Sequence, residues 1–148
     1  MSGGGLGREL HLLTFALDRE AYGVPVGQVR EVIRVTEITR VPHAPAHVRG
    51  VTNLRGRILP VVEIRTRLGL EPGAVTGRSR IVVVEVHDRV LGILVDAVLQ
   101  VTKIPLESVT PPPAEVVSPG SDWISGVAQS SSRLVFLLEL EKALQAPE

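Results

Sequence analysis

His43 and His47 stand four residues apart, the spacing at which two imidazoles on one helical turn share a metal ion. Pro45 lies between them and no acidic residue close by in sequence completes a ligand set. The pair therefore reads as solvated loop histidines rather than a metal site. Ser130-Ser131-Ser132 lacks the Gly-x-Ser-x-Gly strand-to-helix turn that presents a nucleophilic hydroxyl. Gly3-Gly4-Gly5-Leu6-Gly7 follows no strand and opens no helix, which removes a dinucleotide-binding turn. Asp96 ends an apolar run and reads as the cap of the turn that follows it. With no cysteine, the chain has no disulfide, thiolate nucleophile or cysteine-bound zinc. Nothing assembles an acid, a base and a nucleophile, so no catalytic residue, metal or cofactor is assigned. The remaining candidate is Arg55, set in a turn between Gly50 and Gly56. Its guanidinium suits two parallel hydrogen bonds to a carboxylate, either tying loops together or sitting in a protein interface.

The elements that position Arg55 are visible because the chain aligns with itself. His47 to Ile64 matches Trp123 to Leu140 without a gap: Gly50 meets Gly126 (126 − 50 = 76), Val51 meets Val127, Arg57 meets Arg133 and Glu63 meets Glu139. The copies share a glycine, read as a turn, followed by an alternating apolar strand. They differ in the turn's contents, Asn53-Leu54-Arg55-Gly56 against Gln129-Ser130-Ser131-Ser132. A residue that the fold does without in one copy is free to serve function in the other, which singles out Asn53 and Arg55. Upstream, Phe15 to Val32 matches Val84 to Val101, with Gly23 on Gly92 (92 − 23 = 69) and Val26 on Val95. Each block reads as strand, tight turn at or near a glycine, strand. The longer connection in the second half is the proline-rich run from Pro111 to Ser121, which reads as loop. Two copies are too few for a stacked array and suit a pseudo-symmetric pair of small barrels.

Composition agrees. Aromatics make up only 3% of the 148 residues while hydrophobic residues make up 44%, so the core is aliphatic. Fourteen glycines and eleven prolines suit many turns and no long helix. The formal charge is zero, which gives no reason to expect nucleic acid as a partner. No apolar run reaches the roughly 20 residues of a membrane helix. Residues 1–9 read as a flexible tail, and residues 10–145 as a single domain with repeat halves at 10–79 and 80–145. Strands are expected over Leu10–Leu17, Tyr22–Pro25, Val51–Leu54, Ile58–Ile64, Arg80–Val86, Val90–Asp96, Val98–Ile104, Trp123–Val127 and Arg133–Leu140. Short helical turns are expected over Val26–Val32, Ala44–Val48, Glu63–Leu68 (stopped by Gly69) and Glu141–Leu144.

The motifs Tyr22-Gly23-Val24, Val29-x-Glu31-Val32, Gly50-Val51-Thr52-Asn53-Leu54-Arg55-Gly56 and Pro60-Val61-Val62-Glu63-Ile64 together resemble the CheW-domain adaptors of chemosensory systems. The later Gly92-Ile93-Leu94-Val95-Asp96 and Ile124-Ser125-Gly126-Val127 match as well, so the resemblance runs from about Leu10 to Leu144. It implies a mainly β fold: two pseudo-symmetric five-stranded SH3-like barrels that share a hydrophobic core, can exchange segments, and carry short connecting helices. It implies a non-enzymatic scaffold that couples the cytoplasmic hairpin tip of a chemoreceptor to the regulatory domain of a CheA-type histidine kinase. The receptor groove implied comprises Val29, Glu31, Val32, Gly50, Asn53, Arg55 and Gly56. The location implied is cytoplasmic, at membrane-associated arrays reached through partners and without membrane insertion. A specialised adaptor of a motility or developmental pathway, engaging only one of these partners, is the alternative. A small-molecule sensor is disfavoured because the aliphatic sequence offers no polar constellation for a ligand.

Overall fold

The computed structural model describes residues 8–68, 70–71, 73–113, 123–130 and 133–143. The first strands are β1 (Glu9–Leu17), β2 (Glu20–Pro25), β3 (Val29–Arg34), β4 (Val48–Leu54) and β5 (Arg57–Val62). They are followed by β6 (Arg80–Val86), β7 (Arg89–Val95), β8 (Ala97–Pro105), β9 (Ile124–Ser130) and β10 (Arg133–Leu138), and by one turn of helix, α1 (Leu140–Ala143). The strands form two five-stranded sheets, in the orders β8-β1-β2-β10-β9 and β3-β6-β7-β5-β4. Each curls into an SH3-like barrel, here called the first and the second. The edge strands of each sheet are drawn together by the chain that leaves one of them. Thr39, beyond β3, pairs with Val51 on β4, and Thr110, beyond β8, pairs with Val127 on β9.

Neither barrel is a sequence half. The first takes β1 and β2 from the start of the chain and β8 to β10 from its end, while β6 and β7 complete the second. The exchange is sealed by two parallel pairings, β2 with β10 (Ala21 opposite Val135) and β7 with β5 (Gly92 opposite Val61).

The strand period explains why so many runs are apolar on both faces. Along β6, Ile81 and Val83 fill the second barrel, while Val82 and Val84 point out of it into a layer shared by both barrels. Along β1, Leu12 fills the first barrel, while Leu13, Phe15 and Leu17 enter the shared layer. That layer also holds Tyr22, Val24, Ile93, Val95, Trp123 and Leu140, and it is the largest apolar cluster among the described residues. A barrel alone would leave this face in water, so the pair is held together by hydrophobic burial.

Several expectations need correction. Gly23, Gly92, Gly50 and Gly126 lie inside strands, not at turns. At Gly50, Gly92 and Gly126 another part of the chain comes too close for a side chain: a Cβ on Gly92 would stand 2.4 Å from Ile81 Cγ2, and one on Gly50 2.3 Å from the Thr39 carbonyl oxygen; at Gly23 the nearest atom, Leu12 Cδ1, is at 3.2 Å. Val26–Val32 is not a helix beyond the single 3-10 turn Val26–Gln28, because Val29 begins β3 with a bulge between Val29 and Glu31 opposite β6. Ala44–Val48 is a reverse turn closed by the Val48 amide donating to the Pro45 carbonyl at 2.9 Å. Ile64–Leu68 is a 3-10 turn. The Met1–Gly7 part of the expected tail, Gly69, the connection beyond Pro113 as far as Asp122, Ser131-Ser132 and Leu144 lie outside the described residues.

Candidate functional site

Arg55 and Gly56 are the two central residues of the β4–β5 hairpin, with φ of 52° and 82°. Both being positive marks the tight turn whose twist matches that of the strands it joins. Glycine adopts such a φ freely, whereas arginine does so at a cost. Asn53 supports the turn, its Oδ1 accepting from the Gly56 amide at 2.9 Å. The hairpin tip thus aims the Arg55 side chain across the seam between the two edge strands of the second barrel. On the far side, Arg55 Nη1 and Nη2 donate to Glu31 Oε2 and Oε1 of β3 at 2.6 and 2.7 Å. The hydrogen bond from Arg55 holds the Glu31 carboxyl below the usual carboxylate range, and the same pairing raises the guanidinium above its own. The pair is exposed, so its geometry says more about register than about stability.

This pair rims a groove of about 390 Å³ lined by Arg30, Leu54, Arg57 and Ile58 and floored by Leu59 and Val83 of the barrel core. Arg30 is held in turn by Glu85, at 2.8 Å. Ile58 is 68% exposed, a large apolar side chain left open at the groove edge.

The seven residues expected to form one groove therefore divide. Glu31, Asn53, Arg55 and Gly56 come together at the hairpin tip. Val32 lies on the opposite face of β3 from Glu31, is exposed, and borders the shared layer through its partner Val82. Val29 is half-buried against that same layer. Gly50 is buried beneath Thr39, where it sets the path of β4 and presents no surface.

Two other expectations fail. His47 is buried, not solvated, because its carbonyl receives the Glu63 amide at 2.7 Å where β4 begins; His43 is exposed. Among the described residues no cluster of three metal-ligating side chains occurs. Asp96 does not cap the next turn: its Oδ2 accepts from Arg65 Nη1 at 2.8 Å and from the Asp18 amide at 2.7 Å. Arg65, not singled out from sequence, is the centre of this group. Its Nη2 donates to Asp18 Oδ1 at 2.6 Å and its Nε to the Glu71 carbonyl at 2.7 Å. Burial alone would lower the Arg65 pKa, but the hydrogen bond to Asp18 and the charges of both aspartates raise it. The three side chains tie the β1–β2 turn of the first barrel to the second. The signal available in sequence was that Asp18 and Asp96 each follow an apolar strand, with no cation beside Asp96.

Two five-stranded barrels joined by an apolar layer, with a charged seam on the second, define the paired SH3-like barrel class. The chain belongs to the CheW-like domain family, which matches residues 11–148. It is 36% identical over 142 residues to a chemotaxis protein CheW of Rhizobium meliloti, covering 96% of this chain and 90% of that protein. It is 30% identical to the CheW of Klebsiella aerogenes, covering 100% and 88%. The crystal structure of the scaffolding protein TtCheW from Thermoanaerobacter tengcongensis superposes with a TM-score of 0.85 at 30% identity, covering 94% of each chain. The protein is thus a chemotaxis adaptor.

Proposed function

We propose that the chain couples chemoreceptor hairpin tips to a CheA-type histidine kinase in signalling arrays and performs no chemistry of its own. The observation that carries this reading is the Arg55–Glu31 pair, a charged clasp on the seam of the second barrel. It fixes the rim on one side of the edge strand β3, while Val32 and Val29, on the other side of that strand, supply apolar contact at the border between the barrels. A helical hairpin laid against such a surface gains affinity from the valines and register from the charges. Weak single contacts suffice in an array, since avidity multiplies them. The regulatory domain of the kinase, built on related barrels, is the second partner and packs barrel end to barrel end. No helix among the described residues is long and apolar enough to cross a membrane. The protein works in the cytoplasm and reaches the membrane through its receptors.

The test is autophosphorylation of the kinase with receptor signalling fragments, titrated with this protein. Receptor-dependent phosphorylation should rise with the wild type and rise less with Arg55→Ala or Val32→Glu, both at exposed sites. If these variants melt like the wild type and activate the kinase equally, the receptor surface lies elsewhere. No rise with the wild type would remove the coupling role itself.

A further inference from the structure

The internal repeat extends to the grooves. A second groove of about 390 Å³ opens at the end of the first barrel, lined by Thr14, Ala21, Gln100, Thr102, Arg133 and Val135, with Arg78 beside them. At the repeat offsets these lining positions fall on those of the second barrel's groove: Gln100 on Glu31 (100 − 31 = 69), Ala21 on Val90 (90 − 21 = 69), Arg133 on Arg57 (133 − 57 = 76) and Val135 on Leu59 (135 − 59 = 76). In both, the floor is the open end of the barrel's own core, which in the first barrel includes Ala21 and Val135.

The charges differ: Arg30, Glu31 and Arg55 of the second barrel's groove fall on Leu99, Gln100 and Ser131, and only Arg57 keeps an arginine, Arg133. The second barrel carries its own carboxylate, Glu31, clasped by arginine. The first has Gln100 at that position, and none of the residues lining its groove is acidic, while Arg78 and Arg133 both line it and both are exposed. Arg133 donates only to a neutral partner, the Arg19 carbonyl at 3.0 Å, and among the described residues neither guanidinium has a salt bridge. Thr102, also in the lining, keeps a hydroxyl that is shielded from solvent and has no hydrogen-bond partner, and it is the one such side-chain atom among the described residues. Two arginines without a carboxylate, an orphaned hydroxyl and an apolar floor lie together in a groove whose twin carries an internal glutamate on its rim.

We propose that the first barrel's groove is a docking site for an acidic side chain, glutamate or aspartate, presented by a protein partner. The methylenes of the incoming residue rest on Ala21 and Val135, and its carboxylate takes the charge position that Glu31 occupies in the twin. The site is separate from the hairpin-tip surface and independent of which partner that surface takes.

The experiment is a titration of the ¹⁵N-labelled full chain with a synthetic Leu-Glu-Leu-Glu-Leu peptide, its Leu-Gln-Leu-Gln-Leu counterpart, inorganic phosphate, and vesicles of phosphatidylglycerol. The glutamate peptide alone should shift the amides of Ala21, Gln100, Thr102 and Arg133 and leave those of Glu31 and Arg55 in place. Arg78→Ser and Arg133→Ser should each weaken that binding roughly fivefold, the upper range for an exposed charge pair, with melting unchanged because both side chains are exposed. Absence of binding, equal binding of the glutamine peptide, shifts centred on Glu31 and Arg55, or binding of phosphate or vesicles in place of the peptide would each overturn the proposal.

Discussion

Gly50→Ala should unfold the protein far more readily than the same change at its repeat partner, Gly126→Ala. Gly50 has a φ of 152°, and an added Cβ would stand 2.3 Å from the Thr39 carbonyl oxygen and 2.9 Å from Ile38 Cγ2. The backbone conformation alone costs alanine about 1–3 kcal/mol. The carbonyl cannot yield without opening the bridge it makes, in which the Thr39 amide donates to the Val51 carbonyl at 2.7 Å and the Val51 amide to the Thr39 carbonyl at 2.9 Å. Two such bonds are worth about 2 kcal/mol together, so the total is about 3–5 kcal/mol. At Gly126 the nearest atom is the Val109 Cγ1 at 2.7 Å, a side chain that can turn aside, with the Thr110 carbonyl oxygen farther off at 3.2 Å. Overpacking of that kind costs about 1–2 kcal/mol. Urea denaturation followed by the fluorescence of Trp123, the sole tryptophan and buried in the shared layer, reads both. At about 2–4 °C per kcal/mol for a chain of this size, Gly50→Ala should lower Tm by roughly 6–20 °C. A Gly126→Ala variant that loses as much as Gly50→Ala, or a Gly50→Ala loss under about 1 kcal/mol, would refute the claim that backbone conformation and the Thr39 carbonyl together demand glycine more strongly at Gly50 than at Gly126.

Tyr22 is the sole tyrosine, and burial, aided by the Glu20 and Asp18 charges against that of Arg65, pushes its pKa up to about 12. The folded phenol therefore holds its proton above the unfolded value of about 10. Its contribution to stability is complete below pH 10 and is lost as pH climbs through about 12. Absorbance at the phenolate band should stay flat through the unfolded value and rise only near unfolding. The Glu31 carboxyl is depressed by Arg55, so what the pair contributes is present above the ordinary glutamate range and lost as pH falls through the lowered value; in Arg55→Ala its NMR titration should move back up. Arg65→Met removes the cation shared by Asp18 and Asp96. It should cost about 2 kcal/mol, roughly half the figure for a fully buried pair, because water reaches both aspartates. A denaturation midpoint equal to wild type would show the tie between the barrels to be dispensable.

The repeat was legible in sequence because it rests on local pattern: the continuous apolar runs of β6 and β10, and the turns at Arg55-Gly56 and His87-Asp88, are written in neighbouring residues. The role of Gly92 and Gly126 was not, because what excludes a side chain there comes from other strands and connections, Ile81 at Gly92 and Val109 at Gly126. Val26, Val29 and Ile33 stand at a helical spacing in sequence, yet Val26 lies in the 3-10 turn, and beyond the bulge at Val29/Glu31 Val29 packs on the shared layer and Ile33 on the second barrel's core. At the site, the contrast between repeat copies found Arg55 and Asn53, whereas the motif Val29-x-Glu31-Val32 hid the fact that Glu31 and Val32 face opposite sides of β3. Asp96 was misread for a related reason, its partners Asp18 and Arg65 being 78 and 31 residues away.

The exchange of strands between the two sheets bears on how the chain is made. A nascent chain that has emerged as far as Val95 holds every strand of the second barrel, β3 to β7, in one continuous stretch. The β1–β2 hairpin, synthesised first, must wait for both of its sheet neighbours, β8 and β10. Until then Leu13, Phe15 and Leu17 have only one finished surface to lean on, the outer face of the second barrel. The last strand off the ribosome, β10, then closes the first barrel beside nearly the oldest part of the chain, so its loss strands the beginning of the protein as well as its end.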